Sequence, residues 1–296
     1  MHNGFYRLEK DAFEISPDPS FFYPTLQHNQ AFTRLYSGVE RHKGFAVLSG
    51  QAGTGKTLLV RWLALVLNAM GVGVAYVVNP QLSATDFLDY IFTDLRLSAP
   101  SGGKSARLFA LNDYLIGQYE RGSTTVLIVD EAHLLSRELI EEIRLLTNLE
   151  TPQQKLLQII LSGQPELDRI IDSPDMPQLK QRIAVRCYLR RLQGAEVEAY
   201  ILRRLELASA NSHAPTIFSK SAMTAIERYS QGIPRLVNTI CENALALGYA
   251  NQLETINASI VEEVASQFGF CHGEDTRLDP AGNYHLGEAE RAGVFP

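Results

Sequence analysis

The eight residues Gly50-Gln51-Ala52-Gly53-Thr54-Gly55-Lys56-Thr57 constrain this chain more than any other stretch. They follow a short apolar run, Phe45–Ser49, and lead into Thr57–Met70, where apolar residues recur at helical spacing. A strand that passes through a glycine-rich turn into a helix opens a strand–helix–strand unit. Glycines reach backbone angles closed to other residues, so successive N–H groups can point inward around an anion. The helix behind them aims its positive end at the same place. The spacing therefore reads as a phosphate cradle, built from Gly50, Gly53, Thr54 and Gly55, with Lys56 reaching the β- and γ-phosphates and the Thr57 hydroxyl on Mg²⁺.

The alternation continues downstream. Val72–Val78 is β-rich, Thr85–Leu97 is helical, and Thr124–Val129, Leu156–Ser162 and Ile183–Leu189 read as strands. Repeated strand and helix imply an α/β fold, a parallel sheet with helices on both faces. Leu58–Val78 is apolar enough to suggest a membrane span, but it carries Arg61, and Gly71 and Gly73 mark the change from buried helix to buried strand. The run Ser98–Ser105 reads as a loop by composition. After Leu192 the pattern is helical throughout, over Gln193–Ala210, Ser219–Gln231, Pro234–Ala250 and Ala258–Phe268. The expected organisation is an extended arm over 1–43, an α/β core over 44–192, a helical domain over 193–269 and a flexible acidic tail over 270–296. In the arm, Pro17, Pro19 and Pro24 argue against regular helix. Phe21, Phe22 and Tyr23 there could line a slot for a purine base or pack on a sheet edge.

A second cluster agrees with the first. Val126-Leu127-Ile128-Val129 is a buried strand that ends in Asp130 and Glu131. Open α/β sheets bind ligands at the C-terminal edge, which is where these acids fall. Asp130 can join Thr57 around Mg²⁺, and Glu131 can polarise a water that attacks the γ-phosphate.

With these motifs and a helical second domain, the chain resembles the AAA+ ATPases. Within them it is similar to the ExeA/GspA-type ATPases of bacterial general secretion and to the exosortase-associated ATPases. The specific pieces are Phe13–Tyr23 with Pro17-Asp18-Pro19, His28, Gly44-Phe45, Leu161–Leu167, Gln181-Arg182-Ile183 and Gly232–Asn238. The resemblance implies a Mg²⁺-dependent ATPase that works as an oligomeric switch or motor. Gln164 matches the sensor-1 position, with Ser162 competing for it. Arg182 resembles the arginine finger that reaches the neighbouring subunit's γ-phosphate, with Arg186 as the alternative, and Arg235 resembles sensor 2 on a helical lid. ATP rather than GTP also rests on this resemblance. The partners implied are further copies of the chain, in a ring or helical array, and a protein of a secretion or envelope system. Such proteins commonly continue into a transmembrane helix and a periplasmic peptidoglycan-binding region. No membrane span is read in these 296 residues, so the expected place is the cytoplasm, or the inner membrane peripherally through partners.

Charge leaves one alternative. The chain has 27 Lys+Arg against 33 Asp+Glu, a net of −6, which argues against a general nucleic-acid coat. Most of that acidity lies in Glu262–Pro296, with seven acids and two arginines. Lys180–Glu206 holds seven cations against three acids, so an ATP-regulated DNA adaptor of the transposition type is a second reading. Cys187, Cys241 and Cys271 are too far apart in sequence for a CxxC zinc motif and suit a reducing compartment.

Overall fold

The computed structural model describes residues 2–14, 24–78, 80–209 and 216–270. The chain divides into two compact units, Pro17–Arg190 and Met1–Ser16 together with Arg191–Pro296. Helix α1, His2–Phe5, belongs to the second. The first unit runs α2 Leu26–Glu40, β1 Phe45–Gly50, α3 Lys56–Ala69, β2 Gly73–Val77, α4 Ala84–Asp94 and α5 Lys104–Glu120. It continues with β3 Thr125–Val129, a 3₁₀ turn Ala132–Leu134, α6 Arg137–Leu146, β4 Leu157–Gly163, α7 Pro165–Ile171, α8 Pro177–Lys180 and β5 Val185–Leu189.

The five strands form one parallel sheet in the order β2-β3-β4-β1-β5. Alternation along each strand sorts side chains to two faces. Ala46, Leu48, Val126, Ile128 and Ile160 pack on Leu35, Leu59 and Leu63 of α2 and α3. Phe45, Val47, Leu127, Val129 and Leu161 pack on Phe87, Leu111, Ile143 and Leu167 of α4 to α7. Burial on both faces explains why these strands read as continuous apolar runs. The helix after β1 thus lies on one face and the helix after β4 on the other, although β1 and β4 are neighbours. The crevice at their C-terminal ends is where a doubly wound sheet accepts a ligand.

The expected strands fall where the apolar runs lie, and Leu58–Val78 resolves into α3 and β2, joined through Gly71 at φ +79°. Among the described residues, no helix is long and apolar enough to cross a membrane. The extended arm expected over 1–43 is corrected at both ends. Helix α2 occupies Leu26–Glu40 and buries His28, Ala31, Leu35 and Val39 on one stripe. A proline restricts its own residue and the one before it, and Pro24 precedes Thr25, the N-cap of α2, so nothing prevents a helix from starting there. Pro17-Asp18-Pro19 and Phe21–Tyr23 lie outside the described residues, as do 271–296 of the expected tail.

The second unit contains α9 Ala195–Ala208, α10 Lys220–Ser230, α11 Pro234–Ala250 and α12 Ala258–Gln267. The N-terminal residues pack on it as core. Tyr6, Leu8, Ala12 and Phe13 are buried, the Tyr6 hydroxyl donates to Leu253 O (2.9 Å), and buried Arg204 donates to Ala12 O (2.6 Å) and Glu14 O (3.1 Å). Gly232 is required by close approach. Its φ is +70°, Leu192 N–H donates to its carbonyl, and a Cβ there would lie 1.9 Å from Leu192 O.

Candidate functional site

The turn after β1 has the backbone a phosphate cradle needs. Gly53 and Gly55 have φ of +77° and +96°. The Thr54 side chain folds back to donate to Gln51 O (2.8 Å). A brace comes from α2, where buried His28 bonds Thr54 O through Nε2 (3.0 Å) and the Thr25 hydroxyl through Nδ1 (2.7 Å). A Cβ on Gly55 would lie 3.0 Å from that same Nε2, so glycine and histidine fit each other. Lys56, 6% exposed, opens α3 and donates to Gly50 O (2.8 Å) and Gln51 O (2.9 Å). Burial pushes its ammonium below the usual lysine range, while Glu131, Asp130 and Glu166 pull it back up.

Asp130 follows β3 at the same edge and is 1% exposed. Its carboxylate accepts from four donors: the hydroxyls of Thr57 (2.7 Å) and Tyr76 (3.1 Å) on Oδ2, and the Ser162 hydroxyl (2.8 Å) and Glu131 N–H (3.0 Å) on Oδ1. Such bonds offset the cost of burying a carboxylate. Burial is the main cause raising the Tyr76 hydroxyl well above the ordinary tyrosine range, and the Asp130 charge adds to it. That hydroxyl therefore remains a donor. The Thr57 and Asp130 oxygens form a hard-oxygen pair of the kind Mg²⁺ takes, so the residues present fit that ion.

Glu131 adopts φ +51°, ψ +35°, a left-handed conformation that costs a non-glycine residue about 1–3 kcal/mol. Its carboxylate is partly exposed and stands 3.4 Å from His133 Nδ1. Gln164 follows β4 and places its side-chain amide 3.0 Å from His133 Nε2. The two sensor-1 candidates thus separate, with Ser162 on Asp130 and Gln164 on His133.

The arginines lie elsewhere. Arg182 falls between α8 and β5, donates to the Thr147 hydroxyl, and lines a cavity of about 540 Å³ with Lys43, Arg144 and Lys155. Gly44 and Phe45, at the start of β1, line it too, which puts it at the sheet edge opposite Gly50–Thr57. Arg186 is held by Asp168 (2.6 Å) and Asp172 (2.9 Å). Arg235 is exposed in the first turn of α11, in the second unit. Several cations of the basic stretch around these residues have partners within the protein. Lys180 pairs with Asp172, Arg203 with Glu206, Arg191 donates to Gln231, and Arg204 is buried.

Sequence reading missed the roles of six residues. His28 and Tyr76 act from α2 and β2, and no local pattern marks them as partners of residues 26 and 54 positions away. His133 carried a signal, its place in Asp-Glu-Ala-His, without a partner to give it meaning. The lysines and arginine beside Arg182 come together only through the fold.

Residues 39–171 match the family described as AAA domain. CDC6P from Pyrobaculum aerophilum superposes with a TM-score of 0.64 at 17% identity, over 88% of this chain and 71% of its own. This is an AAA+ fold. Other solved structures of similar fold include Drosophila ORC bound to DNA, with a TM-score of 0.64 at 17% identity over 90% of this chain and 66% of that one. The Thermotoga maritima RuvB Holliday junction branch migration motor gives 0.56 at 16%, over 84% and 73%. In sequence, the chain is related to General secretion pathway protein A of Aeromonas hydrophila, 38% identical over 251 residues. That match covers 84% of this chain and 45% of the relative, so the chain spans less than half the length of that protein.

Proposed function

We propose that this AAA+ protein binds ATP with Mg²⁺ and hydrolyses it as part of an ATP-dependent ring or helical homo-oligomer. The observation that carries the reading is the 2.7 Å contact of Thr57 Oγ1 with Asp130 Oδ2, beside buried Lys56 in the glycine turn. That combination suits a phosphate-bearing ligand and its metal. Lys56 would hold the β- and γ-phosphates, and Thr57 and Asp130 would hold Mg²⁺, which neutralises charge on the phosphate oxygens. Glu131 would polarise the attacking water.

Arg182 supports the oligomer. The six residues of β1, at about 3.3 Å each, put its cavity on the order of 20 Å from the phosphate turn. An arginine at that distance cannot serve its own subunit's nucleotide, but it can serve a neighbour's. Arg186 is less suited, since two aspartates already neutralise it. By its relation to General secretion pathway protein A, the oligomer would act on a partner in a secretion or envelope system, at the inner membrane face.

The test is Mg²⁺-dependent ATP hydrolysis measured against protein concentration. Lys56→Ala is expected to abolish nucleotide binding. Glu131→Gln should keep binding and lose about 10²–10⁴-fold in turnover. Arg182→Ala should keep binding and lose about 10³–10⁵-fold. Full turnover by a dilute monomer would overturn the oligomeric part, and hydrolysis by Glu131→Gln at the wild-type rate would overturn the assignment of the base.

A further inference from the structure

His2, Asp11 and Glu242 are distant in sequence and meet at one place in the second unit. His2 lies in α1, Asp11 in the segment that follows it, and Glu242 in α11. One nitrogen of the histidine and one oxygen from each carboxylate lie within 4.8 Å of one another. Packing of the N-terminal residues fixes these positions. The Phe5 ring meets the Tyr249 ring edge-on at 5.5 Å, the Tyr6 hydroxyl donates to Leu253 O, and the Glu9 N–H donates to Ala208 O (2.8 Å). The Asn3 side-chain amide donates to Asp11 Oδ1 and holds that carboxylate in turn.

Hydrogen bonds do not account for this cluster. Among the described residues, five buried side-chain polar atoms have no hydrogen-bond partner, and three of them are His2 Nε2, Glu242 Oε2 and Asn3 Oδ1. Buried polar atoms are normally paired, so three orphans in one spot point to a ligand. His2 Nε2 stands 3.1 Å from Glu242 Oε1 without a hydrogen bond, so the nitrogen points beside that oxygen rather than at it. Two ligands of one metal stand in that relation, because they meet at about 109° across a tetrahedral ion and neither points at the other. Donors about 2.1 Å from such an ion lie about 3.4 Å apart. The His2–Glu242 pair is already near that spacing, and exposed Asp11 has room to close to it. Burial is the main cause raising the Glu242 carboxyl above the usual range; His2 opposes it, while Asp11 and Glu14 add to it. A cation would relieve both the burial and the repulsion.

We propose that His2, Asp11 and Glu242 form a divalent-metal site, suited to Zn²⁺, that ties residues 2–11 to α11. One imidazole and two carboxylates balance the charge of a divalent ion, and the ring nitrogen favours Zn²⁺ over Mg²⁺. Three protein ligands leave one position for water, which can donate to an acceptor left over. Asn3 is the outer partner that orients Asp11. None of these residues belongs to the phosphate site, so the ion holds structure rather than taking part in hydrolysis.

The experiment is a calorimetric titration with Zn²⁺ of untagged full-length protein, first freed of metal by a chelator and dialysed. Wild type is expected to take up one ion more than His2→Ala. Glu242→Gln and Asp11→Asn should weaken that ion's binding by more than about 100-fold, beyond the loss of about 10–100-fold expected for the outer partner in Asn3→Ala. Asp11 is exposed, so its variant keeps the test valid if Glu242→Gln folds poorly. About a hundredfold excess of Mg²⁺ should not displace the ion. Zn²⁺ should also slow tryptic cleavage after exposed Arg7 and Lys10 in wild type and not in His2→Ala. Thr57→Ala should leave this uptake unchanged. No uptake by wild type, uptake that survives His2→Ala and Asp11→Asn, displacement by Mg²⁺, or uptake lost with Thr57→Ala would each overturn the proposal.

Discussion

Each Asp130 oxygen accepts two hydrogen bonds in a site with almost no access to water. Thr57 is the partner expected of this carboxylate, whereas Ser162 and Tyr76 hold it from the strands on either side of β3. Removing one of them leaves the charge in place with less to orient it. Tyr76→Phe and Ser162→Ala are therefore expected to weaken the Mg²⁺ requirement's apparent affinity by about 10–100-fold, with little change in nucleotide binding in the absence of metal. A Mg²⁺ titration of ATP turnover in the two variants checks this. Residue by residue, the site was legible where chemistry is local. Lys56, Thr57, Asp130 and Glu131 could be named because their neighbours in sequence are also their context. Ser162 and Gln164 could be narrowed only to a pair, since their separation depends on which way each side chain leaves the end of β4.

At the scale of elements, β5 is clasped to α7 by charge. Arg186 bonds Asp168 and Asp172, and Lys180 reaches Asp172 as well. Hydrogen bonds from Arg186 and then Lys180 depress the Asp172 carboxyl to about 2. A carboxyl held lower when folded than when unfolded adds stability above its unfolded value, and that contribution disappears as pH falls through the folded one. The thermal midpoints of wild type and Asp172→Asn should thus differ at pH 6 and converge as pH drops from about 4 to about 2; the effect is small because the pair is solvated, and salt weakens it. Elements themselves were legible to the extent that they bury a continuous run or a clean stripe. Strands β1, β3 and β4 do so throughout, and the edge strands β2 and β5 only in part. Helix α5 buries only Leu111 and Leu115 completely, so its periodicity is faint. Helix α2 was obscured by prolines that lie entirely upstream of it, and the docking of Tyr6 and Phe13 depends on contacts with the far end of the chain.

Across the whole molecule, the α/β unit carries its phosphate turn at one end of β1 and Arg182 at the other. Under the proposed role of Arg182 such a subunit would have a giving end and a receiving end, and contacts between copies would run head to tail. A closed ring of n copies then has n complete sites, while an open array always leaves one terminal site without its arginine. The same polarity makes two inactive proteins able to repair each other. A Lys56→Ala subunit has no use for ATP but still offers Arg182, and an Arg182→Ala subunit can bind ATP but needs that arginine from next door. Mixed in equal amounts and allowed to exchange, they should regain roughly a quarter of wild-type turnover, the fraction of random neighbours in the productive order. A mixture as inactive as its components would mean that each active site is built within a single chain. A site divided in this way between two molecules would turn subunit order into information, because defects in different copies would cancel or compound according to who stands beside whom.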